Sequence, residues 1–420
     1  MRIVVALLAI ALTTAACGDS PGVGIAKAAQ PRASADPAQA ALAADAIDDF
    51  GFELLRAATT GTENAVLSPS SIVLALAMAR AGARGETAAQ MDAVLRSAAG
   101  DDHQGWLNAL DAALATRSGT FKDFSGKDLT ITLRIANAPF AQKEYAWKQP
   151  YLDQLATQFA AGVRLVDYKA ATEAARQAIN GWVNDQTEQR IPELILPGVL
   201  DDMTRLALVN AIYLKAPWQT AFPDASTAPA PFTRLDGSTA DFPTMHLLEG
   251  LNYASGAGWQ AVELPYVGRS LAMTIIVPDD LTAFQSTLDG ASFAAITSAL
   301  AQQQVDLSIP KFGIETKTDL AAVLTSMGMP LAFNPLQADF SGMTAAEQLY
   351  ISAVIHQANI DVDEKGTTAA AATAVVLRAT SMPAAPISLK VDRPFLFALR
   401  DLDTGAVLFL GRVVEPAVRS

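Results

Sequence analysis

The 420-residue chain is predicted to fold as one large mixed α/β domain whose sheets are mostly antiparallel. Segments with the apolar spacing of helices are interspersed with alternating or continuously apolar segments, which are typical of strands. Two pairs of strand-like segments are joined by short turns that contain glycine, as in antiparallel hairpins. No internal repeat and no clear linker follows residue 41, so the body is interpreted as a single unit.

Composition narrows the class of partner. The chain carries 43 acidic and 30 basic residues, which gives a net charge of −13. This charge argues against a nucleic-acid partner and favours a protein ligand or a solvated acidic surface. The hydrophobic fraction of 51% is ample for a large core.

The first 16 residues have the pattern of a secretory signal peptide. Arg2 is followed by an apolar run over 3–12 and by small residues over 13–16, and this run is too short to span a bilayer as a helix. Cys17 then resembles the lipidated residue of a bacterial lipobox, although Thr14 replaces the usual leucine. The resemblance implies cleavage before Cys17 and lipid attachment to it, and the chain has no second cysteine for a disulfide. The alternative is an ordinary signal peptide with an incidental cysteine.

Residues 17–41 are rich in Ala, Pro, Gly, Ser and Gln, and they are predicted to form a disordered tether after the lipidated cysteine. The folded domain is therefore placed at 42–417. We expect a protein that is exported and then either held by lipid on the bacterial cell envelope or cell surface, or secreted.

Periodic apolar residues predict the helices. They lie over 41–58, 69–81, 151–159, 172–189, 284–300 and 320–327, with a further helix from Thr87 onward. Ser68 stands at the capping position of the second helix, Pro69 suits its first turn, and Gly82 and Gly85 end it.

Alternating or continuously apolar runs predict the strands. They lie over 129–140, 204–218, 305–309, 349–362, 387–391, 395–400 and 407–414, with two more over 260–278 around a Val267-Gly268 turn. The run over 204–218 is almost entirely apolar, which predicts burial on both faces of the strand. Asn210 within it must therefore find a buried hydrogen-bond partner.

The sequence shows no pattern of catalytic or metal chemistry. The three histidines are His103, His246 and His356, and none has the spacing of a metal ligand. No GxSxG, HExxH or P-loop motif is present. We therefore expect neither an enzyme nor a cofactor, and His356 is interpreted as a core histidine with satisfied hydrogen bonds.

The stretch DEKGTTAAAATAVVLRATSMPAAP, residues 363–386, fits neither a helix nor a core strand. Its alanines favour helix, whereas its threonines and valines favour strand. Its side chains are too small to form a core of their own. The stretch is interpreted as a segment with two accessible states, an exposed loop in one and a strand in the other.

Five sets of motifs, in order over residues 41–416, resemble the serpin family. They are NAVLSPSSIVLALAMARAGARGETAAQM, LVNAIYLKAPW, VELPY with SIPKF, DEKGTTAAAATAV and DRPFLFALRDLDTGAVLFLGRVVEP. Their order and coverage make the resemblance specific. Ala216 in place of the usual glycine and Thr368 in place of a frequent glutamate depart from the family pattern.

The resemblance implies a fold of three β-sheets, with a large and mostly antiparallel central sheet A, eight or nine helices and an exposed reactive-centre loop. It also implies a monomeric inhibitor of an extracellular serine protease that acts as a suicide substrate. The protease attacks the loop and forms an acyl-enzyme, after which the cut loop enters sheet A as a new strand. Insertion of this kind is an established property of serpins.

The hinge of that loop is implied to comprise Glu364, Lys365, Gly366, Thr367, Ala369, Ala370, Ala371, Ala372 and Thr373. A strand that enters a sheet points alternate side chains into the core. The inward set would be Thr367, Ala369, Ala371 and Thr373, which are all small and uncharged. A charge at 367 or 371 would be buried without a partner, at a cost of several kcal/mol.

Other site residues follow from the matched motifs. The shutter, a polar cluster beneath the strands that part, is matched by Ser68, Ser71, Asn210 and His356. Within it, Asn210 is expected to bond to His356. Trp218 and Lys311 match the breach, where insertion begins, and Lys311 is expected to form a salt bridge with Glu364.

The cleaved bond is implied by family spacing. Counting from Glu364 places it between Thr380 and Ser381, which suits an elastase- or subtilisin-like protease with a small apolar pocket. The segment is longer than in well-known members, and a shift in register would move cleavage to Arg378 and Ala379, which suits a trypsin-like protease. Cleavage after Thr380 is preferred, and cleavage after Arg378 is the alternative.

Two other interpretations remain. A non-inhibitory serpin acting as a binding or carrier protein would be cut in its loop without inserting it. An unrelated surface adhesin would show no sensitivity of this loop at all. The small hinge side chains favour the inhibitor.

Overall fold

The protein is described here by a computed structural model over residues 23–59, 61–97, 102–345, 348–367 and 385–417. Within these ranges the fold is mixed α/β, as predicted, and its helices pack on two large sheets. The helices are α1 (Ala40–Ala58), α2 (Pro69–Arg80), α3 (Gly85–Val94), α4 (Asp102–Leu114), α5 (Gln149–Phe159), α6 (Tyr168–Gln186), α7 (Leu281–Thr287), α8 (Gly290–Ala299) and α9 (Ala321–Ser326).

The strands follow one another closely along the chain. They are β1 (Gly24–Ala26), β2 (Ala65–Leu67), β3 (Gly119–Lys122), β4 (Asp128–Gln142), β5 (Val163–Val166), β6 (Leu206–Pro217), β7 (Ala228–Thr233), β8 (Thr239–Gly256), β9 (Trp259–Pro265), β10 (Leu271–Pro278), β11 (Ala301–Pro310), β12 (Phe312–Asp319), β13 (Ala353–Asp363), β14 (Gly366–Thr367), β15 (Ile387–Lys390), β16 (Phe395–Asp401) and β17 (Val407–Val413).

Sheet A, with eight strands, contains the candidate site. Its strand order is β1-β5-β4-β6-β14-β13-β12, and β3 pairs with β4 at one end. Most of its pairings are antiparallel, as predicted, but β4 with β5 and β6 with β13 are parallel. Two long strands in the middle of the sheet therefore run in the same direction.

Sheet B holds the remaining strands in the order β15-β11-β8-β9-β10-β16-β17-β2, with β7 paired to β8. The resemblance implied three sheets, whereas the described strands form two. The reason is β8, which is 18 residues long and pairs with β7 at its start, with β9 at its end and with β11 over most of its length. One continuous strand thus joins two groups of strands into a single sheet.

The helix predicted over 284–300 is two helices in the structure. The break falls at Asp289, whose side chain accepts a hydrogen bond from the backbone N–H of Ser292, while the Ser292 hydroxyl oxygen accepts from the Asp289 backbone N–H. This reciprocal capping box starts α8 afresh. Continuous apolar spacing across Asp289 concealed the new start.

The segment predicted to be a disordered tether is ordered over 23–41. β1 pairs antiparallel with β5 and becomes the edge of sheet A. Arg32 donates from Nε to the Asn108 side chain at 2.6 Å and forms a 2.8 Å salt bridge with Asp111, both on α4. The pairing of β1 and the contacts of Arg32 hold this segment against the domain, although its composition alone indicates disorder. Residues 17–22 lie outside the described ranges.

Helix α2 lies between the two sheets and is buried over nearly its whole length. The Ser68 hydroxyl accepts from the Ser71 backbone N–H at 3.4 Å and caps the helix, as its position before Pro69 predicts. The start of α2 therefore places Ser71 against Asn210 of β6 and Ser68 against His356 of β13. Helix α6 covers the opposite face of β6, where Ile179 and Trp182 pack in the same cluster as Val209.

Candidate functional site

Strand β14 is wedged between two central strands of sheet A. Its two residues pair antiparallel with β13, where Thr367 lies opposite Val362, and with β6, where Thr367 lies opposite Ala216. Thr367 is only 1% exposed. The chain that leaves β13 thus turns back at once and enters the sheet it has just left.

Below β14 the two neighbours close on each other. Strands β6 and β13 pair directly in parallel over six residue pairs, from Ala207 with Ala353 to Ile212 with Ala358. Sheet A is therefore parted by the width of one strand at the C-terminal ends of β6 and β13, which is its upper end here. Below that point the two strands pair directly. A strand that extended β14 into this ladder would run antiparallel to both neighbours.

Gly366 makes the entry possible. Its φ of +151° is a backbone conformation that side-chain-bearing residues rarely adopt, and a Cβ there would stand 2.2 Å from the Ala216 carbonyl oxygen. Because Gly366 has no side chain, the backbone of β14 lies closer to β6 than it could with any other residue at this position.

The entry is lined by aromatic side chains. Trp218 stacks on Tyr266 with ring centroids 4.5 Å apart, and the Tyr266 hydroxyl hydrogen-bonds to the Thr367 hydroxyl. The indole Nε1 of Trp218 donates to the Asp363 carbonyl at 2.9 Å. Burial raises the pKa of Tyr266, so this hydroxyl stays protonated. These contacts fix where the returning chain re-enters the sheet.

The turn before β14 is held by charge. Lys311 forms a 2.9 Å salt bridge with Glu364, and the Thr227 hydroxyl donates to the same carboxylate at 2.8 Å. Burial opposes ionisation of Glu364, but the hydrogen bonds from Lys311 and Thr227 prevail and lower its pKa. The structure thus brings Lys311 and Glu364 together, and Lys365 continues the turn by accepting from the Trp218 backbone N–H.

A buried polar cluster lies beneath the closed ladder. His356 Nε2 accepts from the Ser68 backbone N–H at 3.2 Å, and His356 Nδ1 hydrogen-bonds to the Asn210 Oδ1. The Asn210 amide donates to the Ser71 hydroxyl and, at 2.6 Å, to Asn137 Oδ1. His356 and Asn210 lie opposite each other in the β6–β13 ladder, so this cluster joins the two strands by side chains.

The bonds around His356 determine its protonation. Because Nε2 accepts a hydrogen bond from the Ser68 N–H, Nδ1 must carry the ring proton and donate a hydrogen bond to Asn210. Burial lowers the pKa of His356 from 6.5 to about 3, which keeps the ring neutral at physiological pH. A protonated ring would lose its bond from Ser68.

Asn137 of β4 belongs to this cluster and escaped the sequence analysis. It lies opposite Asn210 in the β4–β6 ladder and also accepts from the Ser71 hydroxyl at 3.0 Å. Its position inside the predicted strand over 129–140 was the available signal, because an amide in a buried strand needs a partner.

Several predicted site residues lie outside the described ranges. They are Ala369, Ala370, Ala371, Ala372 and Thr373 of the hinge, both candidate cleavage pairs, Arg378-Ala379 and Thr380-Ser381, and Cys17. Among the residues that are described, no group of three or more His, Cys, Asp or Glu side chains is arranged to hold a metal ion. No helix in the described ranges is long and apolar enough to cross a membrane.

Comparison with known proteins places this geometry in context. A family model described as Serpin (serine protease inhibitor) matches residues 45–416. The leukocyte elastase inhibitor of Equus caballus is 34% identical over 381 residues, which cover 87% of this chain and 97% of that protein. Plasminogen activator inhibitor 1 of Sus scrofa is 33% identical over 394 residues, which cover 91% and 95%. The crystal structure of the thermophilic serpin tengpin in its native state matches with a TM-score of 0.81 at 28% identity, over 93% of this chain and 97% of that one.

The pKa of His356 predicts a pH dependence of stability. Its folded pKa of about 3 lies below the unfolded value of 6.5, so the unfolded chain binds the proton more readily between these values. Stability should therefore fall as pH decreases through this window, by at most about 1.4 kcal/mol per pH unit from this group. The measurement is the unfolding midpoint of the unaltered chain and of His356→Gln between pH 4 and pH 7.

The glutamine variant should show a shallower dependence on pH, because its side chain does not titrate. His246→Gln serves as the matched control, since it makes the same substitution at a side chain that is 46% exposed and lies on β8 of sheet B, away from the buried cluster. Equal slopes for His356→Gln and the unaltered chain would contradict this assignment.

Proposed function

Because the chain belongs to the serpin family of serine protease inhibitors, we propose that it traps its protease by inserting residues 368–376 between β6 and β13. The observation that carries this proposal is β14, which already occupies the first two positions of that path. The protease is proposed to be extracellular and to be caught as an acyl-enzyme on the loop.

The registers of the two neighbours support one continuous path. Thr367 faces Val362 and Ala216 across its two ladders. Six residues further along the path, Thr373 would face the residues six positions earlier on each strand, which are His356 and Asn210. These two already face each other in the closed ladder, so the new strand needs no change of register on either side.

The exchange of ladders favours insertion. One parallel ladder is replaced by two antiparallel ladders, and antiparallel pairing is slightly more stable per residue. The incoming residues that point toward the main core are alanines and threonines, which lose little side-chain entropy and need little space. Thr373 would place its hydroxyl at the polar cluster of His356 and Asn210, where it has partners.

The chemistry requires only the protease's own first step. Its serine oxygen attacks the carbonyl carbon of the scissile residue, the peptide C–N bond breaks, and the new amine leaves with a proton. The ester that remains joins the protease to the segment that enters the sheet. Insertion then carries the protease along sheet A, and its distorted site no longer hydrolyses the ester.

The target follows from the scissile residue. We place cleavage between Thr380 and Ser381, which favours an elastase- or subtilisin-like protease. The similarity to leukocyte elastase inhibitors supports this choice. Cleavage between Arg378 and Ala379, by a trypsin-like protease, is the alternative that the same experiment distinguishes.

The location is proposed from the N-terminus. We propose export by residues 1–16 and lipid attachment at Cys17, which would hold a monomeric inhibitor on the bacterial cell envelope or cell surface, while loss of the anchor would leave it secreted. Cys17→Ser should move the protein from the membrane fraction to the soluble fraction. Retention of that variant in the membrane fraction would refute the anchor.

The primary test uses elastase, subtilisin and trypsin. Each should be incubated with the protein, and a complex that survives denaturing electrophoresis is expected with at least one of them. Mass spectrometry of the released C-terminal fragment then identifies the cleaved bond. Cleavage of the loop without any such complex would contradict the inhibitory function.

Thermal melting separates the inhibitor from a non-inhibitory carrier of the same fold. Cleavage of the loop alone should raise the melting midpoint strongly if the loop inserts, because two ladders replace one. A carrier whose loop is cut without insertion should melt at the same temperature before and after cleavage.

Thr373→Arg should convert the inhibitor into a substrate. The guanidinium would be buried between His356 and Asn210 without an anionic partner, at a cost of several kcal/mol, and insertion should slow by more than about tenfold. Gel densitometry should show several times more cleaved inhibitor per complex. Ala384→Arg is the control, because residue 384 lies beyond both candidate bonds and never enters the sheet. Equal partitioning of the two variants would exclude the proposed path.

A further inference from the structure

The turn between β3 and β4 lies on the same rim of the molecule as β14. Strand β4 runs on past Thr132, which faces Lys215 near the end of β6, and continues as a hairpin with β3. Phe121 of β3 packs on the β9–β10 turn, where a Cβ on Gly268 would stand 2.6 Å from its ring. That same turn begins at Tyr266, whose hydroxyl contacts Thr367.

This turn has a fixed conformation. The Asp123 carboxylate accepts from the backbone N–H groups of Ser125 at 2.8 Å and Lys127 at 2.9 Å. The backbone N–H of Gly126 donates to the Asp123 carbonyl at 3.0 Å, and Gly126 adopts a φ of +84° that suits glycine. Phe124 is thus presented on a rigid support.

Phe124 is 62% exposed although nothing about the turn requires an aromatic residue there. The Arg269 guanidinium lies over its ring, with the guanidinium carbon 5.1 Å from the ring centroid. Arg269 itself has a φ of +61°, a left-handed conformation that is unfavourable for arginine, and it forms no salt bridge among the described residues. A strained cation thus lies against an exposed aromatic ring on a chain with a net charge of −13.

We propose that Phe124 and Arg269 form a second contact for the attacking protease, beside the reactive loop. This proposal rests on the proposed inhibitory function. The surface fits a protease that offers an apolar recess for the phenyl ring next to a carboxylate for the guanidinium. Aromatic and arginine side chains on rigid supports are the residues that dominate interface energies.

Distance supports the protease as the occupant. Arg269 is three residues from Tyr266, so their Cα atoms are at most about 11 Å apart. A protease of about 200 residues has a radius of gyration of about 16 Å, so its body overhangs the segment that it attacks. The segment that carries both candidate bonds starts at Thr367, which contacts Tyr266, so a globule of this size bound to that segment can extend over the rim on which Phe124 stands.

The contact acts on association and leaves insertion unchanged. Covering the pair with protein removes water from a cation–π contact, which strengthens it, and adds the burial of the phenyl ring. Both gains arise when the protease docks, before the loop moves. The proposal therefore expects a change in the rate of complex formation and no change in the partition between complex and cleaved inhibitor.

The experiment compares association rate constants. Phe124→Ala combined with Arg269→Gly removes the contact, and glycine relieves the left-handed conformation at 269, so folding is preserved. Leu336→Ala is the matched control: Leu336 is 83% exposed on a turn fixed by the Asn334 side chain, at the other end of β13. Rates and stoichiometries of inhibition are measured with elastase, subtilisin and trypsin at low and at physiological ionic strength.

The double variant should associate at least about tenfold more slowly with at least one protease that the unaltered chain inhibits, with unchanged stoichiometry and weaker dependence on salt. The Leu336→Ala variant should match the unaltered chain. Equal rates for all three proteins would overturn the second contact while leaving the inhibitory function intact. If the unaltered chain forms no complex with any of the three proteases, the inhibitory function fails and the second contact fails with it.

Discussion

The parallel ladder between β6 and β13 is the constraint on which the site depends. Each of these two strands has an antiparallel neighbour on its outer side, β4 beside β6 and β12 beside β13, but they pair with each other in parallel, and β14 lies between their C-terminal ends. A parallel pair of this kind accepts one strand that is antiparallel to both. The remaining features of the site either hold this ladder closed or direct the chain toward it.

The polar cluster beneath the ladder suits both the closed ladder and the proposed inserted state. In the structure, Asn210 and His356 bond across the ladder and draw in Ser68, Ser71 and Asn137, so no polar group named here is left without a partner. Insertion would separate Asn210 from His356 and place Thr373 between them. A cluster of neutral groups tolerates such an exchange, because hydroxyl and amide groups can re-form hydrogen bonds with a new neighbour, whereas an ion pair would leave buried charge behind.

The sequence was sufficient to predict the elements that have a clear local pattern of side chains. The apolar run that became β6 and the serine cap of α2 follow from local chemistry. The family resemblance supplied the salt bridge of Lys311 with Glu364 and the assignment of Trp218 to the breach. Strand β8 was missed because its residues alternate between exposed and partly buried and include Pro243, so no continuous apolar pattern marks it. The order of residues 23–41 was missed because main-chain pairing with β5 leaves no trace in composition.

The site residues also differ in whether the sequence alone could indicate them. Asn210 could be singled out because an amide in a buried strand is conspicuous, and Asn137 offered the same signal, but its place in the cluster is fixed by the register between β4 and β6. The surface formed by Phe124 and Arg269 could not be predicted either, since 145 positions separate the two residues and only the packing of Phe121 on the β9–β10 turn brings them together. Contacts of this kind depend on tertiary structure and have no local signature.

Insertion between β6 and β13 is tested most directly by a reversible disulfide bond that links these two strands. Val209 and Ile355 face each other across β6 and β13, and cysteines at both positions, in a Cys17→Ser background, have the neighbouring placement that a disulfide requires. With the disulfide formed, the protease should cut the loop, no stable complex should appear and melting should not shift. Reduction should restore both complex formation and the rise in melting temperature. Equal yields of complex from the oxidised and reduced protein would contradict insertion between β6 and β13.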